Sequence, residues 1–394
     1  MSAAQWRKAM NAGAQAQAWP RQRRVAVAPA APAAPPTTEP NAPAWLRWLS
    51  QRVSARHVVV MAFVLIYPWV ATPFFTFQIG GQSLVLGLIA LSLTFLGGYG
   101  GMISLAQMTV AGIAGYMVAI FGTSSMPEIS LGWPWWVVVP LALAIATVCG
   151  ALIGWLSVRT EGIYTIMITL AIGVAFHYLM QQNYSLFNGW QGFQRVLTPQ
   201  VLGIDWRAPI PYYYLALFWA LAGYFLVQYL VRTPFGIALQ GIRDNPRRMN
   251  ALGFNVTAHR VVAYAVAGLI AAVGGVLLVW YNGLITPGSV GTSWLINILI
   301  IAVLGGMRHP IGPFLGAIVF VLLQNFAIDV IDRERFNLVI GVVFLVIVLF
   351  SRDGLLGWWA GLCTWMSTHR GGNPWTAARQ RSYARSSPSP SSRS

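Results

Sequence analysis

The sequence predicts an all-α fold, a polytopic helical membrane protein of about ten spans with glycine-broken segments, and three observations carry that expectation. The chain is 57% hydrophobic and only 9% charged, whereas an ordinary soluble domain carries roughly 25% charged residues. A globular surface must be covered by polar groups, while a lipid-facing surface stays apolar. Ten runs contain no Asp, Glu, Lys or Arg at all. Finally, the basic residues fall on alternate loops, as the preference of Lys and Arg for the cytoplasmic side requires.

Residues 1–56 form the first region, a basic stretch rich in Ala and Pro that includes APAAPAAPP and one acid, Glu39. Too little apolar surface is present to offset ordering entropy, so a disordered cytoplasmic tail is expected. Its Arg-rich character also resembles a transit peptide, and Arg23 with Arg24 a twin-Arg signal. No fitting apolar region and cleavage site follow either. The transmembrane domain, 57–351, holds the ten runs: 58–77, 82–97, 102–121, 135–157, 162–181, 211–231, 261–280, 293–306, 310–328 and 337–350. The shortest, 82–97, 293–306 and 337–350, suit half-helices or tilted partners, because a full span needs about 20 residues. A last region, 352–394, contains GLLGWWAGLCTWM, which suits a segment in the membrane interface or an aromatic belt after the last span. A disordered Ser/Pro/Arg-rich end follows.

With the N-terminus inside, all but four of the 25 Lys and Arg residues lie in cytoplasmic segments. The exceptions are Arg195, Arg207, Arg333 and Arg335, and the last two neighbour Asp329, Asp332 and Glu334. This places both termini in the cytoplasm of a bacterial cell, with a multi-pass chain in the inner (plasma) membrane. Glu128 and Gln191 are expected outside, and Asp244 inside. The net charge of +16 is then topological, and nucleic acid is not a partner. Cys149 falls inside a span and Cys363 beyond the last, so no disulfide is implied.

Catalytic constellations are absent. The only lysine is Lys8, and a GxxxxGK[ST] phosphate loop requires one, so the chain is not itself a conventional ATPase. His57, His177, His259, His309 and His369 lack metal-ligand spacing. Within the spans no acidic, basic or imidazole group occurs except His177, which reads as a packed, hydrogen-bonded residue. The missing carboxylates argue against an ion-coupled carrier. No nucleophile-base pair suggests a membrane-embedded enzyme, and no cofactor is expected.

Glycine and alanine rows mark helix contacts: Gly150 with Gly154, Gly312 with Gly316, and Ala267, Ala271 and Gly275. The cluster Gly97, Gly98, Gly100, Gly101 and the run from Gly305 to Pro310 each break a helix. The pair hints at a repeat around a midplane site, with plain cytoplasmic turns as the alternative. The loop 232–260 is too patterned for a linker. Phe235, Leu239 and Ile242 form one apolar stripe on a short helix. Asn245 as N-cap, Pro246 at the first position and Gly253 as the stop delimit a second helix ending near Leu252. Such a pair suits docking of a soluble partner, or a loop lying on lipid headgroups.

The segment FGIALQGIRDNPRRMNALGFNVTAHRVVAYAVAGLIAAVGGVLL, with ITPGSV and VLGGMRHPIGPFLGA after it, resembles the permease family of branched-chain amino-acid ABC transporters, in particular the LivM-type subunit. GGYGGMISLAQMTVAGIAGYMVA and RTEGIYTIMITLA look like earlier blocks of that family, so the resemblance covers about 81–350. It implies a permease subunit that forms half of the translocation pathway of an ATP-driven importer for branched-chain or other neutral amino acids. Urea or short amides are the alternative cargo, and a stand-alone carrier or channel is the rival class. The implied partners are cytoplasmic ABC ATPase subunits, a second, unlike permease, a periplasmic or extracellular solute-binding protein and membrane lipid. The coupling loop would use Phe235, Gly236, Leu239, Ile242, Arg243, Asp244, Asn245, Leu252 and Gly253, its stripe inserting into an ATPase groove. Gln107, Thr109 and Thr169 are the pathway candidates. Family members often carry Gln where Met102 stands and His where Gln107 stands.

Overall fold

Apolar runs bounded by Pro, Gly and turn residues become helices in the computed structural model. It describes residues 64–330 apart from 161, 200–202 and 204, together with 341, 342, 345, 354, 355 and 357. Both expected tails, most of the 337–350 span and nearly all of the interfacial segment lie outside the described residues. All described residues belong to one unit, Ala62–Ser394.

Eight apolar helices of 14 residues or more follow one another among the described residues. They are α1 (Phe75–Tyr99), α2 (Gln107–Phe121), α3 (Trp135–Ser157), α4 (Ile163–Gln182), α5 (Pro209–Arg232), α8 (Val256–Asn282), α9 (Thr292–Gly305) and α10 (Gly312–Val330). Between α5 and α8 lie the short α6 (Pro234–Asp244) and α7 (Pro246–Ala251). Five of the eight are long and apolar enough to cross a membrane. The α2 helix has 15 residues and α9 has 14. At 1.5 Å per residue each reaches about 21–23 Å, short of a ~30 Å hydrocarbon core.

The first boundary differs from the sequence expectation. Residues 64–70 are helical, and the break falls at Ala71–Thr72, before Pro73, while 78–81 continue α1 as π-helical turns. Gly80 and Gly81 do not interrupt the helix there. Their missing side chains make room for the rings of Tyr213 and Tyr212 on α5. Tyr213 and Tyr214 also donate to the carbonyls of Val64 and Leu65, each at 2.9 Å, tying the residues before the break to α5.

The loops sort to two opposite ends. At one end 122–134, 183–208 and 283–291 meet: Ser125 N donates to Gln194 O (2.9 Å) and Val196 N to Gly283 O (3.0 Å). A two-residue antiparallel pair, β1 (Phe193–Gln194) with β2 (Leu284–Ile285), closes this strand end. The other end gathers 97–106, 158–162, 233–255 and 305–311. It carries Arg159, Arg232, Arg243, Arg247, Arg248, Arg260 and Arg308, against Arg195 and Arg207 at the strand end. Glu128 and Gln191 therefore share one end and Asp244 lies at the other, as expected.

The small-residue rows act as close contacts, as expected. Gly150 meets Gly268, Gly154 lies under the Tyr264 ring, Gly275 abuts the backbone of Ala111, and Gly316 abuts Ile301 O. The α1 and α8 helices are mostly buried at the centre, whereas only a minority of the residues of α3, α4 and α5 are buried and each of these helices has an exposed apolar face. An exposed apolar face is stable against lipid or another membrane protein.

The pattern of long helix, buried break and short helix occurs twice with opposite sense. It runs α1, 101–106, α2 and again α8, 283–291, α9. The two glycine breaks lie at the same end and touch, since a Cβ on Gly98 would lie 2.0 Å from Met307 O, which fits the alternative of plain turns at one end better than a midplane repeat.

Candidate functional site

The arginine-rich end is built around the junction of α5, α6 and α7. Thr233 Oγ1 donates to Leu230 O (2.6 Å) and accepts from Gly236 N (3.4 Å), capping α6, with Pro234 at the first helical position. A Cβ on Gly236 would lie 2.1 Å from Leu230 O, so only glycine lets α6 fold back this tightly. Asn245 Oδ1 accepts from Arg248 N (2.9 Å) and caps α7. Gly253, at φ +89°, follows Leu252 at the helix end. Both capped helices thus lie where their capping residues put them.

The stripe on α6 faces inward, which corrects its expected direction. Leu239 and Ile242 are fully buried in the chain's own core, and Leu239 lies against Gly100. The Phe235 ring stacks on His259 with centroids 5.7 Å apart and planes 9° apart. Burial of such side chains is worth about 1.5–3 kcal/mol each, so the loop is held by this chain before any partner binds. The apolar groups that point away are others: Ile237 is 64% exposed, Leu252 67% and Phe254 39%. Arg247 and Arg248 are exposed beside them. Ile237 and Phe254 were missed in the sequence, although an isoleucine two positions off the stripe was a signal for an apolar outer face.

Arg243 joins the loop to the first glycine break. Its Nη1 donates to Gly98 O at 2.6 Å, and its Nε and Nη2 reach Asp244 Oδ1 at 3.0 Å. Its aliphatic stem covers Gly101, which has φ +68°, a conformation that favours glycine. A Cβ on Gly98 would lie 2.0 Å from Met307 O, and Tyr99 Oη donates to Arg308 O at 3.3 Å. Both glycine breaks and the loop therefore converge on one spot. His309 Nδ1 accepts from Ile311 N (3.4 Å), and partial burial holds its pKa below the ordinary value. Both favour a neutral ring.

The pathway candidates gather around the start of α2. Gln107 Oε1 accepts from Ser92 Oγ on α1 at 3.1 Å. Thr169 Oγ1 on α4 accepts from Leu105 N at 3.1 Å, satisfying backbone freed by the break. The Thr109 hydroxyl is buried without a hydrogen-bond partner, beside Gly173 on α4. All three are buried in the bundle. Two cavities among the described residues lie elsewhere, toward the strand end. One, about 430 Å³, is lined by Asp205, Arg207 and Phe77, and the other, about 340 Å³, by Trp135, Trp219 and Trp280. His177 is occupied as expected: its Nδ1 lies 3.0 Å from Pro287 O, which can only accept. Among the described residues no cluster of three His, Cys, Asp or Glu is placed to hold a metal.

Residues 75–348 match the family described as branched-chain amino acid transport system / permease component. The high-affinity branched-chain amino acid transport system permease protein LivM of Salmonella typhimurium is 23% identical over 65% of this chain. The chain spans 65% of that relative's length. The probable LivM protein of Methanocaldococcus jannaschii is 23% identical over 65% of this chain and 80% of its own. The ribose import permease protein RbsC of Haemophilus influenzae is 23% identical over 70% of this chain and 84% of its own. No solved structure matches the chain.

Proposed function

Because the chain belongs to the branched-chain amino acid transport system / permease component family, we propose that it is the membrane subunit of an ATP-driven importer, lining half of a path for branched-chain or other neutral amino acids. ATP hydrolysis then resides in separate subunits that dock on the arginine-rich end. The observation that carries this reading is the α6–α7 loop. It is capped, anchored by Leu239 and Ile242, and presents Ile237, Leu252 and Phe254 outward with Arg247 and Arg248. An exposed apolar patch with a basic rim is what a soluble partner needs. The excess of arginine supports reading this as the cytoplasmic end, with the strand end then left to receive the solute-binding protein. The exposed apolar faces of α3, α4 and α5 are left for lipid and the second, unlike permease. A buried span set whose one imidazole is already hydrogen-bonded suits a solute without net charge.

The test is uptake of labelled leucine into vesicles holding the chain with its ATPases, second permease and binding protein. Leucine should accumulate only with ATP, and the chain alone should move none. ATP-independent leucine flux through the chain alone would overturn the reading. The relative that imports ribose favours a second cargo class, so labelled ribose is the comparison arm. Uptake of ribose in place of leucine would retain the importer and replace the solute.

A further inference from the structure

We propose that Arg243 is the positioning residue through which the α6–α7 loop moves the α1–α2 break, and with it the buried polar groups at the start of α2. The inference rests on the importer reading above and names how one site acts on another within it. The last carbonyls of a helix lack intrahelical partners. At the end of α1, Met102 N donates to Leu96 O (3.0 Å) and so leaves Gly98 O without the amide a continuing helix would supply. Arg243 Nη1 takes that place at 2.6 Å. A cation is favoured there because the helix C-terminus is the negative pole. Asp244 holds the rest of the guanidinium, with Nε and Nη2 both at 3.0 Å from Oδ1, so the group is aimed into its own chain and away from a partner.

The other loop contact on the break, Leu239 against Gly100, is apolar and non-directional. Arg243 supplies the directional one. Beyond the break, Leu105 N is held by Thr169 Oγ1 and Gln107 Oε1 by Ser92 Oγ. A displacement of Gly98 to Gly101 must therefore alter how α2 begins against α1 and α4. The loop is the handle, Arg243 the link and the α2 start the element moved.

The complete complex, reconstituted with ATPases, second permease and binding protein, tests this with labelled leucine as the probe. Wild type, Arg243→Ala and Arg243→Lys are compared for ATPase recovery, leucine uptake, ATP hydrolysed per leucine, and nucleotide-dependent amide exchange in 101–106. In Arg243→Ala, recovery should stay within about twofold while uptake falls at least about tenfold, the scale of one charge-assisted hydrogen bond. ATP hydrolysed per leucine should rise, and the nucleotide-dependent exchange change in 101–106 should disappear. Arg243→Lys should restore part of each. A wild-type ratio and a wild-type exchange response in Arg243→Ala would overturn the link. So would ATPase recovery falling in step with uptake, because Arg243 would then be a docking residue. Failure of the importer reading shows instead as absent ATP-dependent uptake of both leucine and ribose in wild type.

Discussion

The two breaks, 101–106 and 283–291, are built from the same plan and held in different ways. Each follows a long central helix, leaves the α-helical path for a partly buried stretch and leads into a short helix. The first is tied by Arg243 and Leu239 to a loop with an exposed outer face. The second is pinned within the bundle. Its β2 pairs with β1, His177 Nδ1 bonds to Pro287 O, and Thr286 and Ser289 form a capping box around Pro287–Val290. On the proposed reading the first break would move with the α6–α7 loop, although Thr169 Oγ1 also holds its Leu105 N, whereas the second is cross-linked to its own bundle alone. The difference lies in the attachments, since both breaks contain glycine and short polar residues.

The sharpest challenge to this contrast is at Leu239. Leu239→Asp places an unpaired carboxylate in a fully buried position, a loss of about 3–5 kcal/mol. It should detach α6 and abolish both ATPase recovery and uptake. Ile237→Asp, on the exposed side of the same helix, should leave the unfolding midpoint within about 1 °C while reducing ATPase recovery. A thermal melt of both variants decides which face of α6 points inward. Equal destabilisation would remove the assignment, and a larger loss in Ile237→Asp would reverse it.

At the strand end the largest effect is expected at Gly192. This residue has φ +62°, and a Cβ there would lie 2.1 Å from Ile285 O. Gly192→Val combines backbone strain of about 1–3 kcal/mol with that clash and should lower the unfolding midpoint by about 5 °C. The surviving folded fraction should still hydrolyse a wild-type amount of ATP per leucine. A changed ratio would show that the pinned break also carries motion.

His177→Phe removes one hydrogen bond to Pro287 O, a loss of about 1 kcal/mol. The midpoint should fall by about 2 °C with no change in coupling, in contrast to Arg243→Ala. The smallest effect concerns pH. Burial lowers the folded pKa of His309 below its unfolded value of 6.5. As pH falls through 6.5 the unfolded chain binds the proton first, so this residue's contribution to stability declines toward the folded pKa. Amide protection in 306–311, taken relative to the intrinsic exchange rate at each pH, should fall slightly between pH 7 and pH 5, and His309→Gln should remove that dependence.

Composition and punctuation alone determined the class and most of the elements. The charge-free run 135–157 is α3 to the residue. The expected runs 162–181, 211–231 and 293–306 differ from α4, α5 and α9 by one or two residues at their ends, and Asn245, Pro246 and Gly253 marked α7 correctly. Span limits follow from hydropathy, and caps from hydrogen bonding within a few residues, so both are local and legible. Which glycines interrupt a helix was not local. Gly80 and Gly81 stay helical because Tyr212 and Tyr213, more than 130 positions away, fill the space beside them, whereas Gly101 ends a helix under Arg243. The direction of the α6 stripe was equally out of reach. An amphipathic pattern states that one face is to be buried, and only the packing of α5, α8 and the α1 end shows that this chain itself buries it. The buried polar groups around Gln107 and Thr169 are the same case, since their partners Ser92 and Leu105 come from other elements, and the tertiary structure alone brings a freed amide to a threonine hydroxyl.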